Sequence, residues 1–406
     1  MTRVLFLAES FHPVLGGGET QLRRLGGALV AAGDAATVVT RRGEPSFPAS
    51  DEVDGIRVRR VPPAGPSRRG KYLMVPAALG AVAAEARGHD LLVVRGTRVL
   101  GLPGLVAGRL AGLPVIQQPE INGELDGEVF TWGKPWAGSA AGRAVRDLVA
   151  LRNLWLRDAE GFVAMSARIR EEMIGAGIAP ERVALIPHAV DTGRFRPASP
   201  VEARALRLAL GLPSAGLLVA YTGRLLRGKG LEVLLDAFTL LASQDPGAHL
   251  VLVGSGEGQL SVEDELRRRS GEEGLAGRVT FAGRVERVED WLRAADVFAF
   301  PSVFEALGIS LIEALACGLP SVASRTGGIV DIVEDGRSGL LVPPGDAAAL
   351  AATLRALAGD PARRAAMAQA ARARAVERFD HADNLARYRA LFAEVAARGR
   401  RRSRRR

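Results

Sequence analysis

Two glutamates separated by seven residues are the strongest candidates for chemistry in this sequence. Glu305 and Glu313 lie where a strand predicted at 297–300 gives way to a helix predicted from Gly308 to Cys317. Eight steps of roughly 100° amount to about 80° of rotation over two helical turns. Both carboxylates can therefore line one cleft if Glu305 lies in the loop before the first turn.

The backbone between the two glutamates is suited to binding an anion. Leu307, Gly308 and Ile309 stand at the predicted helix start, where amide groups have no partner within the helix. Carboxylates beside such amides suit a ligand that is rich in hydroxyl groups and also carries phosphate. A nucleotide-sugar fits that description.

A glycine-rich loop at 223–230 adds two cations. Arg224 and Lys229 follow a strand predicted at 217–222 and precede a helix predicted at 231–242. Arginine offers a fork of donors and lysine a point charge, so together they can neutralise a diphosphate and stabilise a departing nucleotide. Arg227, in the same loop, is more simply a surface residue.

A second glycine turn follows the first predicted strand. Gly16, Gly17 and Gly18 precede a helix predicted at 19–32, so the backbone there can approach a ligand closely. A plain tight turn explains this pattern equally well.

The length of the chain and its pattern of strands and helices predict two α/β domains of similar design. The 406 residues imply two to three domains, and strands alternate with helices in both halves on either side of a linker at 187–200. We expect two doubly wound, Rossmann-like domains that face a shared crevice, at 1–190 and 201–380. A helix at 381–397 would return to the first domain, followed by a disordered basic tail at 398–406.

The charge is concentrated at the C-terminus. Seven of the last nine residues are arginine, in a chain of net charge +9. A solvated tail is the simplest interpretation, peripheral contact with an anionic membrane comes next, and a nucleic-acid partner is not expected because no aromatic residues accompany the charge. The single cysteine, Cys317, reads as an inert core thiol. With no predicted signal peptide or membrane span, we expect a cytoplasmic protein, and a peripheral location on the inner membrane face is the alternative.

Six segments in order resemble the retaining glycosyltransferases of family 4, which have the GT-B fold and include sucrose-phosphate synthases and bacterial mannosyltransferases. The segments are His-Pro-Val-Leu-Gly-Gly-Gly-Glu at 12–19, Ile-Pro-His-Ala-Val-Asp-Thr-Gly-Arg-Phe at 186–195, Gly-Arg-Leu-Leu-Arg-Gly-Lys-Gly at 223–230, Val-Gly-Ser-Gly at 253–256, Phe-Ala-Gly-Arg-Val at 281–285 and the glutamate pair.

The resemblance implies a role for each matching residue. Arg224, Lys229 and Glu305 would be catalytic, the cations holding the diphosphate and the carboxylate holding the hydroxyls of the donor sugar. The remaining donor-binding positions would be Gly16 and Gly17 from the first domain, Gly254 from the second, Arg284 and Val285 near the base, Leu307, Gly308 and Ile309 at the distal phosphate, and Glu313 at the ribose.

The resemblance also implies the course of the reaction. A sugar would pass from a nucleotide-diphosphate donor to a glycan, lipid-linked or small-molecule acceptor with retention of configuration. The leaving phosphate would take the acceptor's proton, so no protein nucleophile is required. The sequence has no Asp-x-Asp signature and no His/Cys cluster at ligand spacing, so we expect neither a metal nor another cofactor.

Two stretches depart from the family pattern. His188 stands where relatives often have asparagine, and a turn or interdomain contact suits it better than an acid/base role. The stretch 116–124 lacks the histidine that many relatives carry near the acceptor. Glu120 and Asn122 in that stretch are predicted to hydrogen-bond an acceptor, although an ordinary polar loop is equally consistent.

Other classes of protein stay open at this point. A non-hydrolysing nucleotide-sugar epimerase of the same fold would convert the donor without an acceptor. A non-catalytic sugar- or nucleic-acid-binding protein would not need Arg224, Lys229 and the glutamates. A dinucleotide oxidoreductase is disfavoured because Arg41 and Arg42 stand where that fold needs an acidic residue.

Overall fold

The chain forms two compact units. The computed structural model describes residues 1–14, 16–65, 67, 69–272 and 274–403, the last three by backbone alone. One unit combines Met1–His188 with the chain from Ala382 onward, and the other comprises Ala189–His381.

The first unit is built on an eight-stranded sheet with the order β3-β4-β2-β1-β5-β6-β7-β8. All neighbouring strands are parallel except β3 and β4, which are antiparallel. The strands are β1 Arg3–Ala8, β2 Ala35–Arg41, β3 Ser50–Val53, β4 Ile56–Val61, β5 Leu91–Arg95, β6 Val115–Gln118, β7 Gly161–Ala164 and β8 Val183–Leu185.

Helices cover this sheet and connect its strands. They are α1 Gly17–Ala31, α2 Gly70–Leu73, α3 Val75–Glu85, α4 Gly101–Leu110, α5 Glu128–Thr131, α6 Ala140–Leu156 and α7 Ala167–Gly175, with short 3₁₀ turns at Ala86–Gly88 and Pro180–Arg182. The central strands are continuous apolar runs with buried side chains, as expected where helices cover both faces of a parallel sheet.

The second unit carries a six-stranded parallel sheet with the order β11-β10-β9-β12-β13-β14. Its elements are α8 Pro200–Ala209, β9 Leu218–Thr222, α9 Leu231–Ala242, β10 His249–Val253, a 3₁₀ turn Gly258–Leu260, α10 Glu263–Glu272, β11 Val279–Gly283, α11 Val288–Ala294, β12 Val297–Phe300, α12 Ile309–Ala316, β13 Ser321–Ser324, α13 Ile329–Ile332, β14 Gly339–Val342, α14 Ala347–Ala358 and α15 Pro361–Phe379. The strand order reverses between β9 and β12, and ligands of doubly wound sheets bind at such a switch point.

The last helix, α16 (His381–Ser403), completes the core of the first unit. Tyr388, Phe392 and Val395 are buried in the same apolar cluster as Phe6, and the Tyr388 hydroxyl pairs with Gln118 Nε2 at 3.2 Å. The helix continues through Ser403, so the expectation of disorder from 398 is wrong for residues 398–403. A cation at a helix C-terminus is favoured by the helix dipole, which suits an arginine-rich last turn. Residues 404–406 lie outside the described part.

The segment predicted as a linker belongs mostly to the second unit. Val190 N donates to Phe379 O at 2.9 Å, His381 N donates to Val190 O at 3.1 Å, and Phe195 is fully buried. The second unit therefore begins at Ala189 rather than at 201, because these backbone bonds and this side chain attach the segment to the end of α15.

Candidate active site

The most specific contact among the predicted site residues joins Lys229 and Glu305. Lys229 Nζ donates to Glu305 Oε2 at 2.7 Å, and the two side chains are only 24% and 14% exposed. The sequence placed these residues on separate loops of one domain, and the structure brings them together.

Backbone contacts hold the two loops in this position. Gly230 has a φ of 68°, and a Cβ there would lie 2.0 Å from Pro301 O, directly after β12. Val303 N donates to Gly228 O at 3.0 Å. The loop after β9 is thus fixed on the segment that leads to Glu305, and only glycine allows so close an approach at residue 230.

Tyr221, which sequence reasoning missed, supports the turn that carries Arg224. Its side chain is fully buried on β9, and its hydroxyl donates to Arg224 O at 3.2 Å. Burial raises the pKa of Tyr221, the Glu305 carboxylate raises it further, and the exposed Arg224 guanidinium opposes them. Tyr221 is therefore a neutral donor that fixes the turn carrying Arg224. An aromatic residue in an apolar strand gave no sign of this role.

Gly254 lies directly against the same loop. Its φ is 137°, and a Cβ at this position would stand 1.9 Å from Gly223 O. Leu225 N donates to Ser255 O at 2.9 Å on the other side of this contact. The predicted donor position Gly254 therefore supports the loop that carries both cations.

The start of α12 offers the amides that the sequence predicted. Gly308 precedes the helix with a φ of 106°, and Ile309 is its first residue. Within the described part of the chain, the amides of Leu307 and Gly308 donate to no backbone carbonyl. These groups lie within four residues of Glu305, so an anion held there would adjoin the Lys229–Glu305 pair.

Glu313 lies in a different environment on α12. It is half-buried, and its charge raises the pKa of Arg194, although hydrogen bonding to Glu289 is the larger cause. Arg194 Nη2 stands 2.9 Å from Glu289 Oε2. Burial and Glu313 also raise the pKa of Cys317, so this buried thiol stays protonated, in line with an inert core residue. Sequence reasoning missed Arg194 as the cation near Glu313.

Arg284 and Val285 follow β11. Arg284 Nη2 stands 2.9 Å from Glu257 Oε1, and both side chains are well exposed. An exposed pair of this kind contributes little stability. The predicted role of Arg284 and Val285 beside the base stays a prediction.

Two buried hydroxyls lie at the same end of the second sheet. Thr222 ends β9 and Ser302 follows β12, and their side-chain oxygens have no hydrogen-bond partner in the described part of the chain. Buried polar groups are normally paired, so these two hydroxyls are candidates for contact with a ligand. Sequence reasoning missed both.

In the first unit, the glycine turn lies against Glu120. Gly16 is extended, Gly17 begins α1, and a Cβ at Gly18 would lie 3.2 Å from Glu120 Oε1. Arg95, buried at the end of β5, pairs with Glu120 at 2.9 Å and donates to Gly18 O at 3.2 Å. Two segments selected from sequence thus meet, and Arg95, a buried arginine at the end of β5, joins them.

Glu124 organises the loop that carries Glu120. Its carboxylate accepts from the backbone of Thr97 at 2.6 Å and from the amides of Glu120 and Ile121 at 3.1 and 3.3 Å. Burial raises the pKa of Glu120, Arg95 opposes this, and Glu124 adds to the increase. The pKa of the Glu120 carboxyl is therefore higher than that of a free glutamate.

Asn122 and His188 are also buried in this unit. Burial, and then the Arg95 charge, lower the pKa of His188 to about 3. The imidazole is therefore neutral at physiological pH, which disfavours an acid/base role. The structure brings Glu120 and Gly18 into contact, and the predicted acceptor role of Glu120 and Asn122 stays a prediction.

The described residues lack two features that bear on function. They contain no group of three or more His, Cys, Asp or Glu side chains that could hold a metal ion. Nor does any helix among them combine the length and apolar character needed to cross a bilayer.

Both units match known glycosyltransferase families. Residues 216–360 match the glycosyl transferases group 1 family, and residues 16–189 match the glycosyl transferase 4-like domain. D-inositol 3-phosphate glycosyltransferase 1 of Catenulispora acidiphila is 33% identical over 346 residues, which cover 81% of this chain and 79% of that one. The D-inositol 3-phosphate glycosyltransferase of an Arthrobacter species is 30% identical over 91% of this chain and 90% of its own.

Solved structures agree with this assignment. Sucrose-phosphate synthase from Thermosynechococcus elongatus superimposes with a TM-score of 0.80 at 26% identity, covering 98% of this chain and all of that one. HepE of Anabaena, solved with UDP, gives 0.77 at 25% identity and covers 97% and 100%. The chain belongs to the group 1 glycosyltransferases of family 4. The predicted GT-B fold with two Rossmann-like units is confirmed.

Proposed function

We propose that this glycosyltransferase moves a hexosyl group from a UDP-sugar to a hydroxyl acceptor, with retention of anomeric configuration and without a metal. The observation that carries the proposal is the half-buried Lys229–Glu305 pair beside the amides that precede α12. A cation, a carboxylate and free amides at one sheet end suit a ligand with both phosphate and sugar hydroxyls. The choice of UDP rests on HepE, which was solved with UDP and glucose.

Each group has a defined task in this proposal. Arg224 and Lys229 hold the diphosphate, and the amides of Leu307 to Ile309 bind its distal phosphate. Glu305 binds the hydroxyls of the transferred sugar while it orients Lys229 through their 2.7 Å contact. Glu313 binds the ribose hydroxyls.

Charge stabilisation drives the transfer. The bond between the anomeric carbon and the phosphate oxygen breaks, and the two cations stabilise the negative charge that develops on the UDP leaving group. The acceptor oxygen forms its bond on the same face, and its proton passes to the departing phosphate. Retention follows from this geometry, and no protein nucleophile takes part.

The acceptor would meet the first unit at Glu120. Its carboxyl, held by Arg95, would hydrogen-bond a hydroxyl group of the acceptor. The relatives named above are D-inositol 3-phosphate glycosyltransferases, so a cyclitol phosphate is the first acceptor to test.

A donor screen tests the proposal. Thermal shift and sugar-transfer assays with UDP-, GDP- and ADP-sugars, with EDTA present, should show preference for one UDP-hexose. Proton NMR of the product should show the same anomeric configuration as the donor. Inversion, or loss of activity in EDTA, would contradict the mechanism, and isomerisation of the donor without acceptor would identify an epimerase instead.

A further inference from the structure

The helix α6 has an apolar face that no described residue of its own unit covers. Its buried side consists of Gly142, Val149, Asn153 and Leu156. On the other side Leu148, Leu151 and Trp155 are 66%, 56% and 58% exposed. Apolar side chains of this size are rarely left in water together, which marks an interaction surface.

The exposed residues form one continuous stripe. With roughly 100° per residue, positions 141, 144, 148, 151 and 155 fall within about 80° of each other around the helix. All five are apolar and exposed: Ala141, Ala144, Leu148, Leu151 and Trp155. The stripe therefore runs along most of the 17-residue helix.

The neighbouring helix α4 extends this surface. Val106 and Leu110 of α4 are 43% and 85% exposed. Arg109 Nη2 lies 2.7 Å from Asp158 Oδ2, which ties the end of α4 to the end of α6. We call the exposed apolar side chains of α4 and α6 the α4–α6 face.

Exposed tryptophans precede the helix that carries most of the α4–α6 face. Trp132 and Trp136 lie shortly before α6 and are exposed. At roughly 100° per residue, Arg143, Arg146 and Arg157 fall on other sides of α6, so positive charge at this face comes from another element. Exposed tryptophan and leucine side chains are typical of segments that lie in the interface of a bilayer.

The arginine-rich end of α16 lies on the same unit. A Cβ built at Gly399 would stand 2.7 Å from Cγ of Pro114, in the turn that follows α4. Arg400 Nη1 lies 3.8 Å from Asp90 Oδ1. The last turns of α16 thus add positive charge next to the end of the α4–α6 face, where Leu110 is exposed.

We propose that the α4–α6 face docks on an anionic lipid surface. A second copy of the chain is disfavoured, because a twofold interface would offer the same apolar and arginine-bearing surface, rather than anionic groups, to Arg398 and Arg400 at the end of α16. An anionic bilayer instead complements both its apolar and its cationic groups, and each basic group near such a surface adds to the attraction.

Docking there would bring the proposed acceptor loop to the membrane. Arg152 Nη2 of α6 donates to Glu124 O at 2.6 Å, and Asn153 Nδ2 donates to Leu125 O at 2.6 Å. The helix that carries the face is thus bonded to the loop of Glu120 and Glu124. If the proposed function holds, the acceptor loop lies behind the helix that docks on the lipid surface, and only this last step rests on that function.

Vesicle flotation with the full chain tests the docking. We expect binding to vesicles of phosphatidylcholine with 30% phosphatidylglycerol, and little to phosphatidylcholine alone. The double substitution Leu148→Glu/Trp155→Glu should weaken binding at least tenfold, because it places charge where the bilayer interior would lie. Both side chains are exposed, so the melting temperature should not change.

Leu208→Glu is the matched control, because Leu208 is 80% exposed on α8 of the second unit. It should bind vesicles as the wild type does, and both variants should retain transfer to a soluble acceptor. If the protein bound vesicles but transferred no sugar, this result would count against the proposed function and would leave the docking proposal intact. The docking proposal would be overturned if the double variant bound anionic vesicles as tightly as the wild type, or if the wild type bound neutral vesicles as tightly as anionic ones. It would also be overturned if the wild type were a dimer in solution and the double variant a monomer.

Discussion

Lys229 and Glu305, 76 positions apart in sequence, form a 2.7 Å ion pair at the carboxyl end of the second sheet. Both side chains are largely shielded from water, so their charges are screened less than those of a surface pair. The pair holds the ammonium group in one place before a donor arrives. A cation placed in advance stabilises a developing negative charge without having to reorganise during the reaction.

Lys229→Ala should reduce turnover by on the order of 10²-fold or more, the scale of losing one charge-stabilising group. The loss should fall mainly on kcat, because the charge that Lys229 opposes is greatest in the transition state. Initial rates of transfer from the preferred UDP-sugar measure the effect. Near-normal turnover would remove Lys229 from the mechanism.

Arg227→Ala is the matched control for this measurement. Arg227 belongs to the same loop, its side chain is exposed, and it has no role in the mechanism. Arg227→Ala should keep kcat within about twofold of the wild-type value, since substitutions of surface residues that have no structural or catalytic role have small effects.

Glu305→Gln should also lower turnover by on the order of 10²-fold. The amide keeps the size of the side chain but loses the charge that orients Lys229 and the ability to accept strong hydrogen bonds from sugar hydroxyls. The double variant Lys229→Ala/Glu305→Gln should lose less than the product of the two single losses, because the residues are in contact. Fully multiplicative losses would show that the two residues act independently.

Gly18→Ala separates stability from acceptor binding. A methyl group at Gly18 would lie 3.2 Å from Glu120 Oε1, so the carboxylate must shift by a few tenths of an ångström. The KM for the acceptor should rise by roughly three- to tenfold, since small misplacements near a reacting group are costly. The melting temperature should hold or rise slightly, because alanine favours the helix more than glycine does. Steady-state kinetics and thermal unfolding measure the two effects.

Gly80→Ala provides the comparison. Gly80 lies inside α3, and a Cβ there would meet no atom within 4 Å. This variant should gain similar helix stability without any change in KM. An unchanged KM in Gly18→Ala as well would place Glu120 outside the acceptor site.

The sequence predicts the two sheets well because their strands are short apolar runs. The strand predicted at 297–300 and the helix predicted at 231–242 agree with β12 and α9 to the residue. The β3–β4 hairpin was missed, because β3 is polar and exposed and lies at the sheet edge. Its Asp54-Gly55 turn, with both φ values positive, was the available signal.

The contacts within the site were harder to predict than its residue types. Arg95 and Tyr221 sit in apolar strands, where sequence pattern assigns them to the core, and both are indeed buried. Their partners lie on other segments: Arg95 reaches Gly18, 77 positions away. Only the strand order brings such residues together, and the sequence pattern does not fix that order.

Acid should destabilise the first unit through His188. The pKa of His188 is lowered from 6.5 to about 3, so between these values the unfolded chain binds a proton that the folded chain does not. Stability therefore rises with pH across this window and is lost as pH falls through it. His188→Gln should remove this part of the dependence, making the loss of stability between pH 6.5 and 5 smaller by about 1–2 kcal/mol.

Urea unfolding followed by tryptophan fluorescence measures this difference, because three of the four tryptophans, Trp132, Trp136 and Trp155, lie in the first unit. The free energies of unfolding of the wild type and of His188→Gln should depend differently on pH below pH 6.5. Above pH 7 the two curves should be parallel. Parallel curves over the whole range would mean that His188 is protonated equally in both states.

Truncation after Ala397 should separate catalysis from membrane attraction. The deleted residues include the last turns of α16, whose recorded contacts are Arg398 with Glu394, Arg400 with Asp90, and Gly399 against Pro114. None of these touches Glu120 or Arg95, so transfer to a soluble acceptor should stay within about twofold of the wild type. Affinity for anionic vesicles should fall, because seven arginines are removed.

The dependence of vesicle binding on salt concentration distinguishes the loss of the C-terminal arginines from the loss of the α4–α6 face. Attraction between arginines and anionic lipids is screened within about 8–10 Å at physiological ionic strength, so the affinity gap between full-length and truncated protein should narrow as salt rises. The gap between wild type and Leu148→Glu/Trp155→Glu should persist in high salt, because apolar burial is not screened. If truncation instead abolished transfer to a soluble acceptor, the end of α16 would belong to the folded core of the first unit.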